Sequence, residues 1–286
     1  MKYGLNYQGS KNAIAEELCD LFPVKENFYD LFAGGCAITH CMLKRGGFHR
    51  YFATDVNDKP LDLFSRCYYG DVPPIRWMSH QDFDENKADD PYTACLYSFG
   101  GDWSSYLYSK EKEPIQEALH DAVVKLDFRK ARKHSLNIDY IVAFNSWQAR
   151  RLALLPEGKR LIELERYEQL LDISNLPVRD VMTFAEGSYE DAEILPNSVI
   201  YCDPPYKDTK GYVAGGFDHE RFYDWCRAQT ELTFISEYTM PDDFILIREF
   251  TRLEAKSAFK SSNVTERLFI PRHQIDLYEE HKTTLF

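Results

Sequence analysis

The amino-acid sequence predicts an α/β fold in which helices and parallel strands alternate, interrupted by a mostly helical insert. Apolar runs of strand length alternate with segments of helical periodicity over the first seventy residues, and this alternation returns after about residue 180. Between these parts strands are hard to place, and aromatic and basic residues dominate. We therefore expect one discontinuous α/β domain over residues 1–70 and 181–286, with the insert over residues 71–180.

The first α/β part contains five predicted elements in order. Ser10 caps a predicted helix over KNAIAEELCDLF, and NFYDLF has the composition of a short strand, which AGG ends. CAITHCMLKRG then shows helical spacing up to Gly46. YFATD predicts a second strand, and DKPLDLFSRCYYG predicts a helix with Pro60 in its first turn.

The rest of the chain gives fewer helices and more strands. In the insert, helices are predicted at EPIQEALHDAVVKL and around RLIELERYEQLL. After it come the strand SVIYC, the helix HERFYDWCRAQ and four strand candidates: LTFISEY, FILIREF, RLEAKSAFK and RLFIP. SNVTERLF near the C-terminus reads as part of an edge strand with Glu266 and Arg267 at its start.

Composition excludes several classes of protein. No stretch approaches the roughly 20 apolar residues that span a bilayer, and the N-terminus lacks the apolar core of a signal peptide, so we expect a cytoplasmic protein without a membrane partner. The seven cysteines form no CxxC pair and their number is odd. We therefore expect buried reduced thiols rather than a zinc site or a disulfide framework.

The net charge of −12 argues against indiscriminate binding to polyanions, so any nucleic-acid site must be a local basic patch. Residues 125–160, called the basic segment below, carry nine basic residues against three acidic ones. A solvated helix face is the alternative reading of this charge.

Two candidate ligand-binding positions follow predicted strands, where open α/β sheets bind their ligands. Gly34 and Gly35 in DLFAGG permit a tight turn and close backbone approach at the start of the next helix. Asp55 in FATDVN lies about twenty residues further on, where nucleotide-type folds hold a ribose hydroxyl. A plain turn and a helix cap are the respective alternatives.

The third candidate is YCDPPY, residues 201–206, directly after the strand candidate. Two consecutive prolines lack backbone donors and leave carbonyls that we expect to point outward without intramolecular partners. An exocyclic NH2 of a nucleobase suits this segment: one hydrogen would go to the Asp203 carboxylate and one to the Pro204 carbonyl, with Tyr206 stacked on the ring.

YCDPPY, DLFAGG and the N-terminal YQGSK together resemble, in residues and in order, the motifs of the adenine-N6 DNA methyltransferases of bacteria and phages. The resemblance spans nearly the whole chain and is weakest in the insert. It implies a Rossmann-like sheet that binds S-adenosylmethionine, and direct transfer of the methyl group to N6 of an adenine extruded from duplex DNA, without a metal. Restriction–modification and phage roles both occur in such a family.

The resemblance also implies site residues. The catalytic ones are Asp203, Pro204, Pro205 and Tyr206. The cofactor contacts are Tyr7, Lys11, Asp30, Phe32, Gly34, Gly35, Asp55, Asp191 and Asp203. Within that set Asp55 resembles the ribose acid and Asp191 the acid that reads the cofactor adenine, with surface or capping roles as the alternative. Cys36 stands where the family pattern often has a second glycine.

The insert would read the target sequence. It lacks the Arg/Asn-rich loop of the GATC-modifying members, and YSFGGDWSSYLYS resembles phage-type relatives instead. The expected contacts to phosphates or base edges are Arg129, Lys130, Arg132, Lys133, Arg150 and Arg151. Two rival functions stay open at this point: an RNA adenine or cytosine-N4 methyltransferase, and a catalytically silent DNA-binding relative. The residues leave the recognition sequence, a partner nuclease and the oligomeric state undetermined.

Overall fold

The structure is a computed structural model that describes residues 2–177, 182–207, 216–257 and 260–283, with the backbone alone at 252–257, 260–264 and 281–283. It confirms the α/β prediction: seven strands form one mixed sheet in the order β3-β2-β1-β4-β5-β7-β6. The strands are β1 Asn27–Asp30, β2 Arg50–Asp55, β3 Met182–Glu186, β4 Ser198–Cys202, β5 Leu232–Glu237, β6 Phe244–Ser257 and β7 Lys260–Pro271.

The first five strands of the sheet, from β3 to β5, are parallel. Every residue of β1, β4 and β5 is buried, which explains why these strands read as nearly continuous apolar runs in the sequence. β7 pairs antiparallel with β5 and with β6. The carboxyl ends of the parallel strands therefore share one edge of the sheet.

Three details of the sheet differ from the sequence prediction. FILIREF and the first six residues of RLEAKSAFK belong to one strand, β6, which ends at Ser257 and has irregular register between Leu246 and Arg248 and between Ala255 and Ser257. β3 was not predicted, because it is largely solvent-accessible and shows no apolar run. The edge-strand reading of SNVTERLF is wrong: β6 lies at the edge, β7 is internal, and Glu266 is a buried residue within β7.

The chain divides into two compact units. The sheet unit comprises residues 1–4, 10–61 and 177–286, and the helical unit comprises residues 5–9 and 62–176. The division falls after Leu61, within α3, rather than near residue 70, and the predicted boundary at 180/181 lies outside the described residues. The helices in chain order are α1 Ala15–Cys19, α2 Ala37–Arg45, α3 Asp58–Tyr68, α4 His80–Asn86, α5 Pro91–Tyr97, α6 Glu113–Lys125, α7 Arg129–Lys133, α8 Trp147–Leu154, α9 Ile162–Ser174, α10 His219–Ala228 and α11 Ile275–Thr283.

Local signals account for the ends of several helices. The Ser10 hydroxyl accepts a hydrogen bond from Asn12 N at 3.3 Å, so the predicted cap begins a 3₁₀ turn, Lys11–Ala13, ahead of the short α1. Asp218 caps α10 by accepting from Arg221 N at 3.1 Å. α2 ends at Arg45, and Gly46, where the spacing predicts the end, is its C-cap residue with a φ of 72°.

The sheet unit has an aromatic core beside β1 and β4. Tyr29 stacks on Phe52 with ring centroids 4.3 Å apart, and Phe222 packs edge-on against Phe32 at 5.6 Å. All seven cysteines of the chain are buried and free. In the part of the chain that the structure describes, no helix is long and apolar enough to cross a membrane.

The helical unit has a core of its own, formed by apolar side chains of α6, α8 and the segments around them. A buried polar group lies in the same unit: Glu163 of α9 accepts a hydrogen bond from the Tyr108 hydroxyl, and its Oε1 lies 3.1 Å from Nδ1 of His120. His120 and Glu163 are both fully buried. Because buried polar groups need partners, Glu163 holds α6 and α9 in one arrangement.

Replacing Glu163 tests this role. We expect Glu163→Leu to lower the free energy of unfolding by about 3 kcal/mol, because it leaves the Tyr108 hydroxyl and His120 buried without their partner. Denaturant unfolding measures the change, and Glu111→Leu at an exposed position is the control. Equal stability of the two variants would contradict the prediction.

Candidate active site

Four carboxylates lie at the carboxyl edge of the parallel strands. Asp30 is the last residue of β1, Asp55 of β2 and Glu237 of β5, and Asp203 follows the last residue of β4. These strands are neighbours in the sheet, so the acids form a row. This edge is where open α/β sheets bind ligands.

Asp55 braces the glycine turn that follows β1. Its Oδ2 accepts from Gly34 N at 2.7 Å, and its Oδ1 accepts from Asn57 N at 2.8 Å. Burial nevertheless raises the pKa of Asp55 above its ordinary value. Each carboxylate oxygen has a further lone pair, so Asp55 can accept from a ligand while it holds the turn.

The same turn has unusual backbone geometry. Cys36, at the start of α2, has a φ of 57° and a ψ of 35°, the left-handed region that glycine adopts more readily. Gly4 also has a positive φ, and a Cβ there would lie 2.4 Å from the Gly35 carbonyl oxygen. The turn is therefore packed tightly against the N-terminal segment, and Cys36 keeps the glycine-like backbone despite its side chain.

Asp30 is a buried acid at the end of β1. Its Oδ2 accepts from the Thr39 hydroxyl at 2.7 Å and from Thr39 N at 3.2 Å. Its Oδ1 is buried and has no hydrogen-bond partner among the described residues. Burial raises the pKa of Asp30 to about 7, even though the Thr39 hydrogen bonds favour the ionised form.

Lys11, Asp203 and Glu266 form a buried charged cluster. Lys11 Nζ lies 2.7 Å from Asp203 Oδ2 and 3.5 Å from Glu266 Oε2. It also lies 4.8 Å from the centroid of the Tyr206 ring. Burial raises the pKa of Asp203 to about 6, while the Lys11 charge opposes the rise and the Glu266 charge adds to it.

The segment after β4 is held from two sides. His219 Nε2 lies 2.9 Å from the Pro205 carbonyl oxygen, and Glu237 Oε2 accepts from Lys207 N at 3.1 Å. Tyr206 packs edge-on against Tyr238 with centroids 4.5 Å apart. The prediction that both proline carbonyls lack intramolecular partners is thus wrong for Pro205, because α10 brings His219 to it.

A family model described as D12 class N6 adenine-specific DNA methyltransferase matches residues 7–225. The chain belongs to this family. A relative, the type II methyltransferase M.FokI of Planomicrobium okeanokoites, is 24% identical over 238 residues, which cover 80% of this chain and 32% of the relative. The chain therefore spans about a third of the length of that relative.

Membership of the D12 family does not by itself show which residues of this chain contact the cofactor, but the positions of the predicted residues bear on it. Gly34, Gly35 and Asp55 lie together at the turn, with Asp30 at the end of the same strand β1. Phe32 stacks on Tyr189 with centroids 5.4 Å apart. Lys11, which the resemblance places at the cofactor, lies with its Nζ 2.7 Å from Asp203, another of the predicted cofactor contacts.

Two further residues of this D12 chain that were predicted to contact the cofactor, Tyr7 and Asp191, interact with other residues of the protein. Tyr7 belongs to the helical unit, where its ring packs edge-on against Trp103 at 5.6 Å. Asp191 is exposed, and its Oδ2 accepts from Ser188 N at 3.1 Å in a capping box. For Asp191 the structure therefore displays the capping role that was the alternative.

The basic segment is only partly available to a ligand. Arg129, Arg132 and Lys133 are exposed, although Arg129 binds Asp127 and Arg132 binds Asp139. Lys130 is half-buried, with Nζ 2.7 Å from both Glu117 and Asp121. These acids offset part of the positive charge that was counted along the sequence.

Arg150 and Arg151 correct the sequence prediction. Both are buried: Arg150 donates to the carbonyls of Val123 and Phe144, and Arg151 binds Glu165 and Glu168. Their guanidinium groups hold α8 within the helical unit, so they do not fit the predicted role in DNA contact. Charge alone does not distinguish such internal arginines from surface ones.

Sequence reasoning missed Glu266, His219 and Glu237. Glu237 had a usable signal, because it lies next to the end of the predicted strand LTFISEY, as Asp55 lies at the end of YFATD. Glu266 reaches Lys11 through the position of β7 beside β5, and His219 reaches Pro205 through the packing of α10. Neither pairing has a local sequence signature. Within the described residues, no cluster of three or more His, Cys, Asp or Glu side chains could ligate a metal ion.

Proposed function

We propose that this chain transfers a methyl group from S-adenosylmethionine to N6 of adenine in duplex DNA. Membership of the D12 family supports the reaction class. The observation that carries the proposal for this chain is the position of Asp203 at the ligand-binding edge, with Oδ2 bound to Lys11 and Oδ1 lacking a well-formed hydrogen bond from any described residue.

The amino group of adenine is a poor nucleophile because its lone pair is delocalised into the ring. Two acceptors, Asp203 Oδ1 and the Pro204 carbonyl, would take its two hydrogens and favour a pyramidal nitrogen. The Pro204 carbonyl receives no hydrogen bond from the described residues, whereas His219 occupies that of Pro205. The adenine site would thus use the first proline carbonyl.

Asp203 must be ionised to accept a hydrogen from the amino group. With a pKa raised to about 6, the carboxyl is mainly ionised at pH 7 and above, and the Lys11 charge is the main influence that favours this form. Tyr206 would stack on the base and replace the stacking lost when adenine leaves the duplex. Lys11 thereby acts on the substrate site rather than on the cofactor.

The acids at the sheet edge fit a cationic cofactor. S-adenosylmethionine supplies, when bound, a methyl group on a positively charged sulfonium, and its methionine portion carries an ammonium group. Asp30 offers a buried Oδ1 that lacks a partner among the described residues, and it precedes a turn in which Gly34 has a positive φ and carries no side chain that would keep a ligand from the backbone. We propose Asp30, Gly34 and Gly35 around the methionine portion and Asp55 at the ribose.

The remaining predicted residues would contribute further contacts to the cofactor and to DNA. Phe32 would add an aromatic contact to the cofactor, and Asp191 would read the cofactor adenine while it caps its turn. The helical unit would bind and read duplex DNA, with Arg129, Lys130, Arg132 and Lys133 on phosphates.

Transfer of labelled methyl from S-adenosylmethionine to unmodified duplex DNA, followed by digestion to nucleosides, tests the function. We expect label in N6-methyldeoxyadenosine with wild type, loss of label in Asp203→Ala and Tyr206→Ala, and normal labelling in Asp224→Ala, an exposed acid on α10. Label in RNA or in N4-methylcytosine would identify one of the rival enzymes. Cofactor binding without transfer to any nucleic acid would support the silent relative.

Salt dependence tests the DNA contacts. We expect Arg129→Gln/Arg132→Gln/Lys133→Gln to weaken DNA binding and to reduce the slope of log affinity against log salt by about 3, because three phosphate contacts are lost. Fluorescence anisotropy at several salt concentrations measures this. Lys110→Gln/Lys112→Gln, at exposed positions of the same unit, is the matched control and should keep both affinity and slope.

A further inference from the structure

Glu237, the last residue of β5, is buried at the sheet edge that carries the candidate active site. Its two carboxylate oxygens accept hydrogen bonds from two backbone amides: Oε2 from Lys207 N at 3.1 Å, and Oε1 from Tyr238 N at 2.7 Å. His219 Nε2 lies 4.0 Å from Oε2, beyond hydrogen-bond distance. Glu237 therefore joins the segment after β4 to the end of β5.

A carboxylate suits these two donors. Ionised carboxyl oxygens only accept hydrogen bonds, so Glu237 can serve both N–H groups, whereas glutamine would turn an NH2 group toward one of them. Burying a carboxylate without hydrogen bonds costs free energy, and so does burying an N–H group without an acceptor. The carboxylate and the two amides thus satisfy one another, and one of the amides loses its acceptor in Glu237→Gln.

The amide of Lys207 belongs to the peptide plane that follows Tyr206. Pro204 and Pro205 hold their own φ angles, so few backbone rotations stay free before Tyr206. The hydrogen bond from Lys207 N to Glu237 restrains the next rotation, which is ψ of Tyr206. Glu237 therefore restrains the direction in which the Tyr206 side chain leaves the backbone.

The residue after Glu237 contacts the Tyr206 ring itself. The Tyr238 ring meets it at an angle of 71° with centroids 4.5 Å apart, an edge-to-face arrangement. Tyr238 is in turn held by β7, because Arg267 donates to the Tyr238 carbonyl oxygen at 2.6 Å and lies opposite Glu237 in the antiparallel pairing. Both contacts thus come from a strand end that is fixed within the sheet.

We propose that Glu237 is a positioning residue for methyl transfer, whose carboxylate, together with the adjoining Tyr238 ring, holds Tyr206 where it stacks on the adenine. This rests on the proposed function, in which Asp203 and Pro204 hold the amino group and Tyr206 holds the plane of the base. Glu237 acts through Tyr206. A Tyr206 ring that is free to turn leaves the base less well aligned with the methyl donor, and the rate depends on that alignment.

Glu231 offers a matched control. It precedes β5 at the opposite edge of the sheet, and its Oε2 accepts from the backbone N of Ser198, the first residue of β4, at 2.8 Å. Glu231→Gln therefore changes the same chemical group, bonded to the same kind of donor, away from the active site. Thermal unfolding of Glu237→Gln and Glu231→Gln separates a loss of stability from a loss of position.

¹⁹F nuclear magnetic resonance of protein labelled with 3-fluorotyrosine tests the positioning without any substrate. Tyr206→Phe assigns the Tyr206 signal. We expect Glu237→Gln to shift or broaden that signal, and Glu231→Gln to leave it unchanged. Glu237→Asp, whose shorter side chain cannot reach both amides, takes the place of Glu237→Gln if the latter does not fold. A Tyr206 signal that is the same in wild type and in the Glu237 variant would overturn the proposal.

Kinetics test the role in methyl transfer. We expect Glu237→Gln to lower kcat by about tenfold, with the Kd for S-adenosylhomocysteine and for DNA unchanged, and Glu231→Gln to keep the wild-type kcat. Tyr238→Leu should also lower kcat, and Tyr238→Phe should lower it less because it keeps the ring. Equal kcat in wild type and Glu237→Gln, or equal losses in Glu237→Gln and Glu231→Gln, would refute the inference.

The two proposals fail in distinguishable ways. A wild type that transfers no methyl group to DNA would remove the proposed function and with it the positioning role. A wild type that is active, with the Tyr206 signal and kcat unchanged in Glu237→Gln, would remove only the role of Glu237.

Discussion

Lys11→Met should reduce methyl transfer at pH 7 by about 100-fold and move the acid limb of the pH–rate profile to higher pH. In the wild type the Lys11 ammonium, 2.7 Å from Asp203 Oδ2, opposes the effect of burial on the Asp203 pKa, which still stands at about 6. A unit charge at such a distance contributes several kcal/mol at the effective dielectric constant of a protein. Without it Asp203 is protonated at pH 7 and no longer offers a carboxylate to the adenine amino group.

Single-turnover rates between about pH 5.5 and 9 measure this effect separately from product release. Lys11→Arg is the conservative variant: it keeps the charge, so its acid limb should stay near that of the wild type even if its rate is lower. Lys11→Met/Glu266→Gln should recover part of the activity, because it removes the like charge that also raises the Asp203 pKa. An acid limb that is the same in wild type and Lys11→Met would show that Lys11 does not control Asp203.

The expected charge effect also bears on which parts of the site could be predicted from sequence. Asp55 and Asp203 were found because each follows or ends a predicted strand, and parallel strands bring such ends to one edge, whereas Asp30 came only from the family resemblance. The partner of Asp203 could not be found in this way. Lys11 precedes it by 192 residues, which include the whole insert, and only the folded N-terminal segment brings the two together.

The sequence predicted the strands correctly where both faces of the strand are buried. β1, β4 and β5 are buried along their whole length, and their apolar runs predicted them. β3 was not predicted, because it is largely accessible to solvent and has no apolar run. The sequence predicted β6 as two strands, because its second half alternates polar and apolar residues, unlike the apolar run at its start. Counting charges along the sequence likewise did not show that Arg150 and Arg151 are buried, because their partners are a backbone carbonyl of α6 and an acid of α9.

Asp30→Asn should stabilise the cofactor-free protein at pH 8 and abolish tight binding of S-adenosylmethionine. Burial raises the pKa of Asp30 from its ordinary value of 3.8 to about 7. The folded state thus binds this proton more tightly than the unfolded state does, so the contribution of Asp30 to stability is fully present below about pH 4 and is lost as the pH rises through about 7. The whole shift corresponds to about 4 kcal/mol at most.

Asparagine carries no charge to bury, so the variant should lack this loss. Thermal unfolding of both proteins at several pH values measures the difference, which we expect to grow between about pH 4 and 7 and to level off above. Asp224→Asn, an exposed acid in the same unit, should show no such trend. Isothermal titration with S-adenosylhomocysteine and with S-adenosylmethionine then measures what the carboxylate contributes to each ligand.

Binding of a cationic ligand would offset the free energy that the buried, ionised Asp30 carboxylate costs the cofactor-free protein. The cofactor would bring positive charge to Asp30 Oδ1, which has no partner among the described residues, and would draw the proton off Asp30. The loss of affinity in Asp30→Asn should therefore be larger for the sulfonium cofactor than for its uncharged thioether product if Asp30 faces the sulfonium. Equal losses would place Asp30 at the ammonium group, which both ligands carry. Unchanged affinity for both ligands would remove Asp30 from the cofactor site.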